Sequence, residues 1–193
     1  MSFYTPVIVG SVRRGRYSPT VARYIAGLLR AGGGVDAEIL DLLEWDLPIM
    51  EERVRLRDDS PSRVLAFGEK LANADGLVVV TPEYNNGYPG ILKNALDYFL
   101  PEYKRKPVGI VTVSSGGFGG LNALAQLRLV FLALGAYPIA KRLPVSRVQD
   151  AFDASGNPTT PALEKAAREF VEEFLWVTEA LVAQKNRSRP PSS

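Results

Sequence analysis

Residues 6–30 read PVIVGSVRRGRYSPTVARYIAGLLR, and this segment indicates the fold class of the whole chain. It opens with a short apolar, β-branched run that is closed by Gly10, which is typical of a buried strand. It ends, after Ser18 and Pro19, with apolar side chains at helical spacing. A buried strand, a loop and an amphipathic helix in immediate succession form the first part of a β-α-β unit.

The same kind of apolar run recurs along the chain and is bounded each time by Gly, Pro or Asp. The runs predict five strands, at residues 6–9, 35–40, 77–81, 108–113 and 137–140. Helices are predicted at residues 19–30, 62–73, 89–100, 121–134 and 161–184. Because crossovers between parallel strands are almost always right-handed, this alternation predicts an α/β fold: a doubly wound five-stranded parallel sheet with helices on both faces.

Residues 1–184 are predicted to form a single domain, since 193 residues suffice for one substantial core and no internal repeat is visible. Residues 185–193 are polar and end in RPPSS, so they are predicted to be a flexible C-terminal tail. The basic run KRK at residues 104–106 is predicted to be a solvated turn.

Composition narrows the classes of function. The chain has 46% hydrophobic and 23% charged residues, as soluble globular proteins do, and its net charge of +2 favours neither nucleic acid nor a membrane as a partner. It contains no cysteine and no histidine, which excludes disulfide scaffolds, zinc fingers and the Ser-His-Asp triad. No signal-like or membrane-spanning stretch is visible, so a cytoplasmic location is expected.

Three loops follow the first, third and fourth predicted strands, at the edge of the sheet where ligands of such folds bind. The first is GSVRRGRYSP, at residues 10–19, and it contains no acidic residue. The hydroxyls of Ser11 and Ser18 and the helix N-terminus suit a phosphate monoester, to which Arg13 or Arg16 can add a guanidinium. The alternative is a surface turn with solvated arginines. The loop lacks the ending of an ATP-binding P-loop and the Gly-x-Gly-x-x-Gly of dinucleotide sites.

The second loop, TPEYNNGYPG at residues 81–90, offers Tyr84, Asn85 and Tyr88. Aromatic faces and amide groups of this kind suit a flat heteroaromatic ring, although a turn packed by its own tyrosines would use them too. The third loop, SSGGFGG at residues 114–120, has four glycines whose backbone N–H groups can converge on an electron-rich edge. A flexible linker is its alternative.

The strings GSVRRGRYS, TPEYNNGYPGILKNALDYF and SSGGFGG, in this order and spacing, resemble those of the NAD(P)H-dependent FMN reductases over residues 6–140. The resemblance implies a flavodoxin-like sheet of strand order 2-1-3-4-5 and a flavoprotein whose FMN-binding domain is residues 1–184. It implies an FMN-dependent oxidoreductase that moves a hydride from NADPH or NADH to FMN, and then two electrons to a small acceptor: a flavin, quinone, azo compound or metal ion. It also implies a homodimer or homotetramer.

The resemblance assigns site residues position by position. It implies that the FMN phosphate is held by Ser11, Arg13, Arg16, Tyr17 and Ser18. It implies that the isoalloxazine ring is lined by Pro82, Glu83, Tyr84 and Asn85, and that its pyrimidine edge meets Ser115, Gly116 and Gly117. Because the flavin carries the chemistry, no catalytic side chain and no metal are expected.

Two other functions fit the same residues. A flavodoxin-type single-electron carrier would bind the same FMN, but such carriers usually present an acidic docking surface, whereas this chain is slightly basic. A phosphate-sensing or scaffold module without redox work would share the fold alone, because fold does not fix function. NAD(P)H oxidation separates the enzyme from the carrier, and stabilisation by FMN separates both from the scaffold.

Overall fold

The computed structural model of the chain describes residues 2–187. Its strands are β1 (Phe3–Val9), β2 (Val35–Asp41), β3 (Leu77–Pro82), β4 (Pro107–Val113), β5 (Tyr137–Pro138) and β6 (Leu143–Val145). All pairs are parallel, and the sheet has the order β2-β1-β3-β4-β5, with β6 also paired to β4. The predicted order 2-1-3-4-5 is therefore confirmed, and a sixth strand is added to it.

The helices are α1 (Ser18–Ala31), α2 (Leu42–Trp45), α3 (Ser62–Asn73), α4 (Gly90–Asp97), α5 (Leu121–Ala133), α6 (Val148–Ala151) and α7 (Pro161–Arg187). The five long helices were predicted, whereas α2 and α6 are too short to give a periodic signal. Helix α4 ends three residues before the predicted residue 100, because Leu100 precedes Pro101 and leaves the helical region. Helix α7 continues through residues 185–187, which were predicted to be tail, and residues 188–193 of that prediction lie outside the described residues.

The fifth predicted strand is interrupted. It pairs with β4 at Tyr137 and Pro138, leaves the sheet edge, and returns as β6 to pair further along β4. Each of the two pieces contains a proline, Pro138 or Pro144, and proline has no backbone N–H to donate to a strand ladder. The three-residue β6 gave no strand signal of its own because it is shorter than the runs from which strands are predicted.

The sheet is buried on both faces, as its continuous apolar strands predict. Along β1, Val7 and Val9 face a core formed with α1 and α7, while Ile8 faces a second core formed with α3, α4 and α5. The sheet and helix α7 pack closely against each other. A Cβ added to Gly109 of β4 would lie 2.7 Å from the ring of Phe170 in α7. Helix α7 therefore depends on a glycine in the strand beneath it.

Gly109→Ala is expected to lower the free energy of unfolding by about 1–3 kcal/mol, because the new methyl group overpacks this contact. Gly27→Ala is the matched control, since a Cβ at Gly27 in the middle of α1 would meet nothing within 4 Å. The control should raise the free energy of unfolding by about 1 kcal/mol through helix propensity. Urea denaturation of both variants tests this, and a Gly109→Ala protein as stable as the wild type would contradict the close packing of α7.

The prediction that residues 104–106 form a solvated basic turn is wrong for Lys106. Its ammonium is buried and donates to the backbone carbonyl oxygens of Leu71 and Ala72, at 2.7 Å for Ala72. These carbonyls close the C-terminal end of α3, where a cation is favourable. Burial lowers the pKa of Lys106 to about 8.

Candidate functional site

The loops that follow β1, β3 and β4 meet at the carboxyl edge of the sheet, around a cleft of about 280 Å³. The strand order reverses beside β1 and β3, so the cleft occupies the position where doubly wound sheets bind ligands. Most of the predicted site residues line it: Ser11, Arg13, Arg16, Tyr17, Ser18, Pro82, Glu83, Tyr84 and Ser115. The three loops therefore lie together, as the sequence predicts.

The residues that line the cleft differ from the predicted set, because some predicted residues are absent and others are added. Asn85, Gly116 and Gly117 were predicted and do not line the cleft. Five residues that were not predicted line it, namely Arg14, Gly15, Val113, Ser114 and Val148. Three of these, Arg14, Gly15 and Ser114, adjoin predicted residues in the chain, so treating each loop as a whole would have found them, whereas Val113 is the last residue of β4. Val148 follows the unpredicted β6, and no sequence signal placed it here.

The first loop leaves β1 through a glycine that touches β3. A Cβ on Gly10 would lie 2.9 Å from Oγ1 of Thr81, so a larger residue would push the loop away from its neighbour strand. The loop ends at α1, which starts at Ser18 with a proline in its first turn and no acidic residue there. The positive end of the helix is therefore open towards the cleft.

Two serine hydroxyls stand at this end of the cleft. Ser11 is fully buried, and its Oγ shares a hydrogen bond of 2.7 Å with the hydroxyl of Tyr84 from the second loop. Ser18 is also buried, but its Oγ has no hydrogen-bond partner within the described part of the chain. Because a buried hydroxyl without a partner costs about 1–3 kcal/mol, Ser18 fits a site where a ligand oxygen completes the bond.

The two arginines predicted at this end differ in what they contact. Arg13 is exposed, and its guanidinium carbon lies 5.9 Å from the centre of the Tyr84 ring. Arg16 forms a bidentate ion pair with Asp41, with Nη1–Oδ1 and Nη2–Oδ2 distances of 2.6 and 2.7 Å. Arg13 is thus available to an anion, whereas Arg16 already has one.

The second loop is a tight hairpin. The backbone N–H of Tyr84 donates to the carbonyl of Gly87 at 2.7 Å, and the N–H of Gly87 donates back at 3.0 Å. Asn85 and Asn86 between them have φ angles of 50° and 63°, which asparagine tolerates and a type I′ turn requires. Asn85 is thereby held at the exposed tip, away from the lining of the cleft, while Tyr84 is turned towards Ser11.

Glu83 has a contact that the sequence did not predict. Its Oε2 accepts the backbone N–H groups of Asn122 and Ala123 at 2.9 and 3.1 Å, and its Oε1 accepts the side-chain amide of Asn122 at 3.3 Å. Helix α5 begins after Gly120, which has no side chain to cap it. The carboxylate of Glu83 therefore caps α5 and ties the second loop to the start of that helix.

The third loop closes on itself through Ser114. Its Oγ donates to the carbonyl of Gly116 and accepts the N–H of Gly119, both at 3.0 Å. The carbonyl of Gly116 also accepts the N–H of Arg147, at 3.0 Å. A Cβ at Gly116 or Gly117 would meet nothing within 4 Å, so the backbone of these exposed residues is open.

These features define the class of the protein: a flavodoxin-like α/β fold whose cleft has hydroxyl and cationic groups at one end and an aromatic hairpin at the other, with the open glycines of the third loop outside its lining. Within residues 2–187, no group of three or more acidic side chains could hold a metal ion. None of the helices formed by these residues combines the length and apolar character needed to span a bilayer.

Comparison with known proteins gives the family. The sequence model described as NADPH-dependent FMN reductase matches residues 6–150, and the chain belongs to this family. It is 37% identical to an NAD(P)H-dependent FMN reductase of Schizosaccharomyces pombe, over 87% of this chain and 88% of that protein. It is 30% identical to a 2-hydroxy-1,4-benzoquinone reductase of a Burkholderia species, over 94% of this chain and all (100%) of that protein.

A solved structure supports the same assignment. The flavoenzyme NAD(P)H:(acceptor) oxidoreductase FerB from Paracoccus denitrificans superposes with a TM-score of 0.79 at 27% identity, and the match covers 92% of this chain and 98% of FerB. The family resemblance and the flavodoxin-like fold predicted from the motifs are thereby confirmed. The prediction of a flavin-dependent oxidoreductase that uses FMN and NAD(P)H is confirmed with them.

Proposed function

We propose that the protein binds FMN in the cleft between the three loops and reduces a small acceptor at the expense of NADPH or NADH. FMN supplies the redox chemistry, because its ring accepts two electrons as a hydride and releases them to an acceptor. The acceptor is a flavin, quinone, azo compound or metal ion. The observation that carries the proposal is the buried Ser18 hydroxyl, which lacks a partner at an acid-free helix N-terminus inside the cleft.

The phosphate end would be formed by the first loop. Ser11 and Ser18 supply hydroxyls, Arg13 supplies an exposed guanidinium, and the start of α1 supplies backbone N–H groups. Tyr17 lines this cleft and also a neighbouring groove of about 640 Å³, so it stands at the boundary of the two. Each group donates a hydrogen bond or carries positive charge, which suits a phosphate dianion.

The ring end would be formed by the other two loops. Pro82 and Tyr84 would line the isoalloxazine within the cleft, and Ser115 would meet its pyrimidine edge. Asn85, Gly116 and Gly117 lie outside the lining of the cleft, so they would contact the ring where it extends beyond the cleft. The third loop, a glycine loop of residues 114–120, has an open backbone at Gly116 and Gly117. Backbone N–H groups there would be donors that stabilise negative charge developing beside them during reduction. No acid or base from a side chain is needed at this end.

We also propose that residues 1–184 are one FMN-binding domain and that the protein assembles as a homodimer or homotetramer. Helix α5 supports the assembly, because Leu121, Leu129 and Leu132 are exposed on it. Phe118 is 83% exposed in the neighbouring glycine loop, so an interface over these side chains would lie beside the cleft. The cytoplasmic location stays a prediction from the sequence.

Steady-state kinetics test the proposed function. The purified protein should gain thermal stability from FMN and oxidise NADPH or NADH with an acceptor, giving parallel double-reciprocal plots because donor and acceptor use the same cleft in turn. Arg13→Gln should raise the Kd of FMN about tenfold through loss of a charge-assisted contact. Arg142→Gln is the control, since Arg142 is exposed and does not line the cleft. Flavin binding without NAD(P)H oxidation would instead indicate a single-electron carrier.

A further inference from the structure

The ion pair between Arg16 and Asp41 gives Arg16 a different role from the one its loop implies. The side chains of Arg16 and Asp41 are only 13% and 9% exposed, and both Nη atoms of the guanidinium donate hydrogen bonds to the carboxylate. Nη1 of Arg16 also donates to the backbone carbonyl of Ser11 in the same loop. Three oxygen atoms of the protein itself therefore accept hydrogen bonds from this guanidinium.

The carboxylate of Asp41 also has all its partners within the protein, namely Arg16 and the start of α2. Asp41 is the last residue of β2, where it is level with Val9 at the end of β1, and its Oδ1 also accepts the N–H of Leu43 at 3.0 Å to cap α2. An Arg–carboxylate pair with two parallel bonds fixes both position and orientation. The pair thus attaches the first loop to the carboxyl end of the neighbouring strand.

The attachment reaches the second loop as well. Arg16 holds the carbonyl of Ser11, and the Ser11 hydroxyl is bonded to Tyr84. One continuous set of contacts, Asp41 to Arg16 to Ser11 to Tyr84, therefore joins the ends of β2, β1 and β3 around the cleft.

We infer that Arg16 is a positioning residue that clamps the phosphate-binding loop through Asp41, and is not itself a ligand of the phosphate. This inference rests on the proposed function, because it concerns the site of the FMN phosphate. The pair brings one charge of each sign, so it adds little net attraction for a dianion. The net positive charge that attracts the phosphate comes from Arg13 and Arg14, which are exposed in the same loop.

Asp41→Asn separates the two roles by the direction of its effect. Asparagine keeps an oxygen to accept bonds but releases the charge of Arg16. If Arg16 is a clamp, the loosened loop should raise the Kd of FMN about tenfold or more. If Arg16 were a phosphate ligand, its freed guanidinium would leave FMN binding unchanged or tighter, and that result would overturn the inference. Quenching of flavin fluorescence by the flavin-free protein measures the Kd.

Riboflavin, which has no phosphate, shows whether Asp41→Asn weakens only the phosphate site or the whole cleft. A general loss of structure would weaken the binding of both flavins. The Kd of riboflavin should change less than about twofold in Asp41→Asn, while that of FMN changes about tenfold. Equal losses for both flavins would show that the pair stabilises the whole cleft and would overturn the assignment to the phosphate loop. If Asp41→Asn does not fold, Arg16→Lys is used as the test variant, because lysine keeps the positive charge but cannot form the bidentate contact. Full FMN affinity in Arg16→Lys would overturn the inference too.

The double variant Arg16→Gln/Asp41→Asn completes the test. It removes one charge of each sign, so the decline of FMN affinity with added NaCl should match the wild type, whereas Arg13→Gln should weaken that decline. The double variant should also bind FMN no more weakly than the weaker single variant, because the two residues act as a unit. A weakened salt dependence in the double variant would identify Arg16 as a net charge on the phosphate and contradict the clamp.

Arg63 and Asp46 form a matched control pair. Arg63 contacts both the carboxylate and the backbone carbonyl of Asp46, at 2.8 and 2.7 Å, but on the surface. Asp46→Asn should leave the Kd of FMN unchanged, and an equal loss there would mean that any broken Arg–Asp pair has this effect. A wild-type protein that binds no FMN would refute the proposed function, whereas normal FMN binding in Asp41→Asn would refute only the clamp.

Discussion

Glu83→Ala is expected to lower the free energy of unfolding by about 2–3 kcal/mol and to raise the Kd of FMN about tenfold. The carboxylate accepts three hydrogen bonds at the start of α5, two of them from backbone N–H groups that have no other cap. Loss of a helix cap costs up to about 2 kcal/mol, and bonds to a charged group are stronger than neutral ones. Urea unfolding and flavin fluorescence measure the two effects.

Glu83→Gln distinguishes capping from a direct effect of the charge. The glutamine carbonyl can still accept the N–H groups of Asn122 and Ala123, so this variant should lose less than about 1 kcal/mol and keep most of its FMN affinity. If the alanine and glutamine variants were equally impaired, the negative charge rather than the cap would be responsible. Glu83 would then not act as the cap of α5.

Gly119→Ala is expected to destabilise the protein by about 2–4 kcal/mol and to abolish most of the turnover. Gly119 has a φ of 64°, and a Cβ there would lie 2.7 Å from Cβ of Pro144 and 3.0 Å from its backbone carbonyl carbon. The left-handed conformation costs alanine about 1–2 kcal/mol, and the collision with β6 adds an overpacking cost of similar size. The glycine loop must shift to relieve both.

Gly117→Ala is the matched control in the same loop. It has no left-handed φ, and a Cβ there would meet nothing within 4 Å. Thermal unfolding should therefore give nearly the same Tm as the wild type for Gly117→Ala and a clearly lower Tm for Gly119→Ala. A stable, active Gly119→Ala protein would mean that the loop is free to rearrange and that its conformation is not fixed by Pro144.

The main strands could be predicted because a parallel sheet buried on both faces leaves continuous apolar runs in the sequence. Residues 77–80, for example, are Leu-Val-Val-Val, and all four are fully buried in β3. The two short strands at the far edge could not be resolved this way. Leu143–Val145 has three residues and a central proline, so its pairing depends on β4 and not on a local pattern.

The place of the cleft could be predicted, but the partner of each side chain could not. The rule that ligands bind beyond the strand ends brings Ser11, Tyr84 and the glycine loop together, and the structure confirms that they adjoin one cleft. Nothing in the strings around Arg16 and Glu83 shows that one turns to Asp41 and the other to α5. Asp41 carried a usable signal, because an acidic residue at the end of the second strand must lie near the first loop.

The interrupted fifth strand has a consequence for how the protein behaves at high concentration. The edge of the sheet beside β4 consists of a two-residue and a three-residue piece, each with a proline that offers no N–H. A long, regular row of free backbone donors would be a template on which another chain could add a strand and start an aggregate. Here that row is interrupted between β5 and β6, so association of copies through this edge of the sheet is disfavoured.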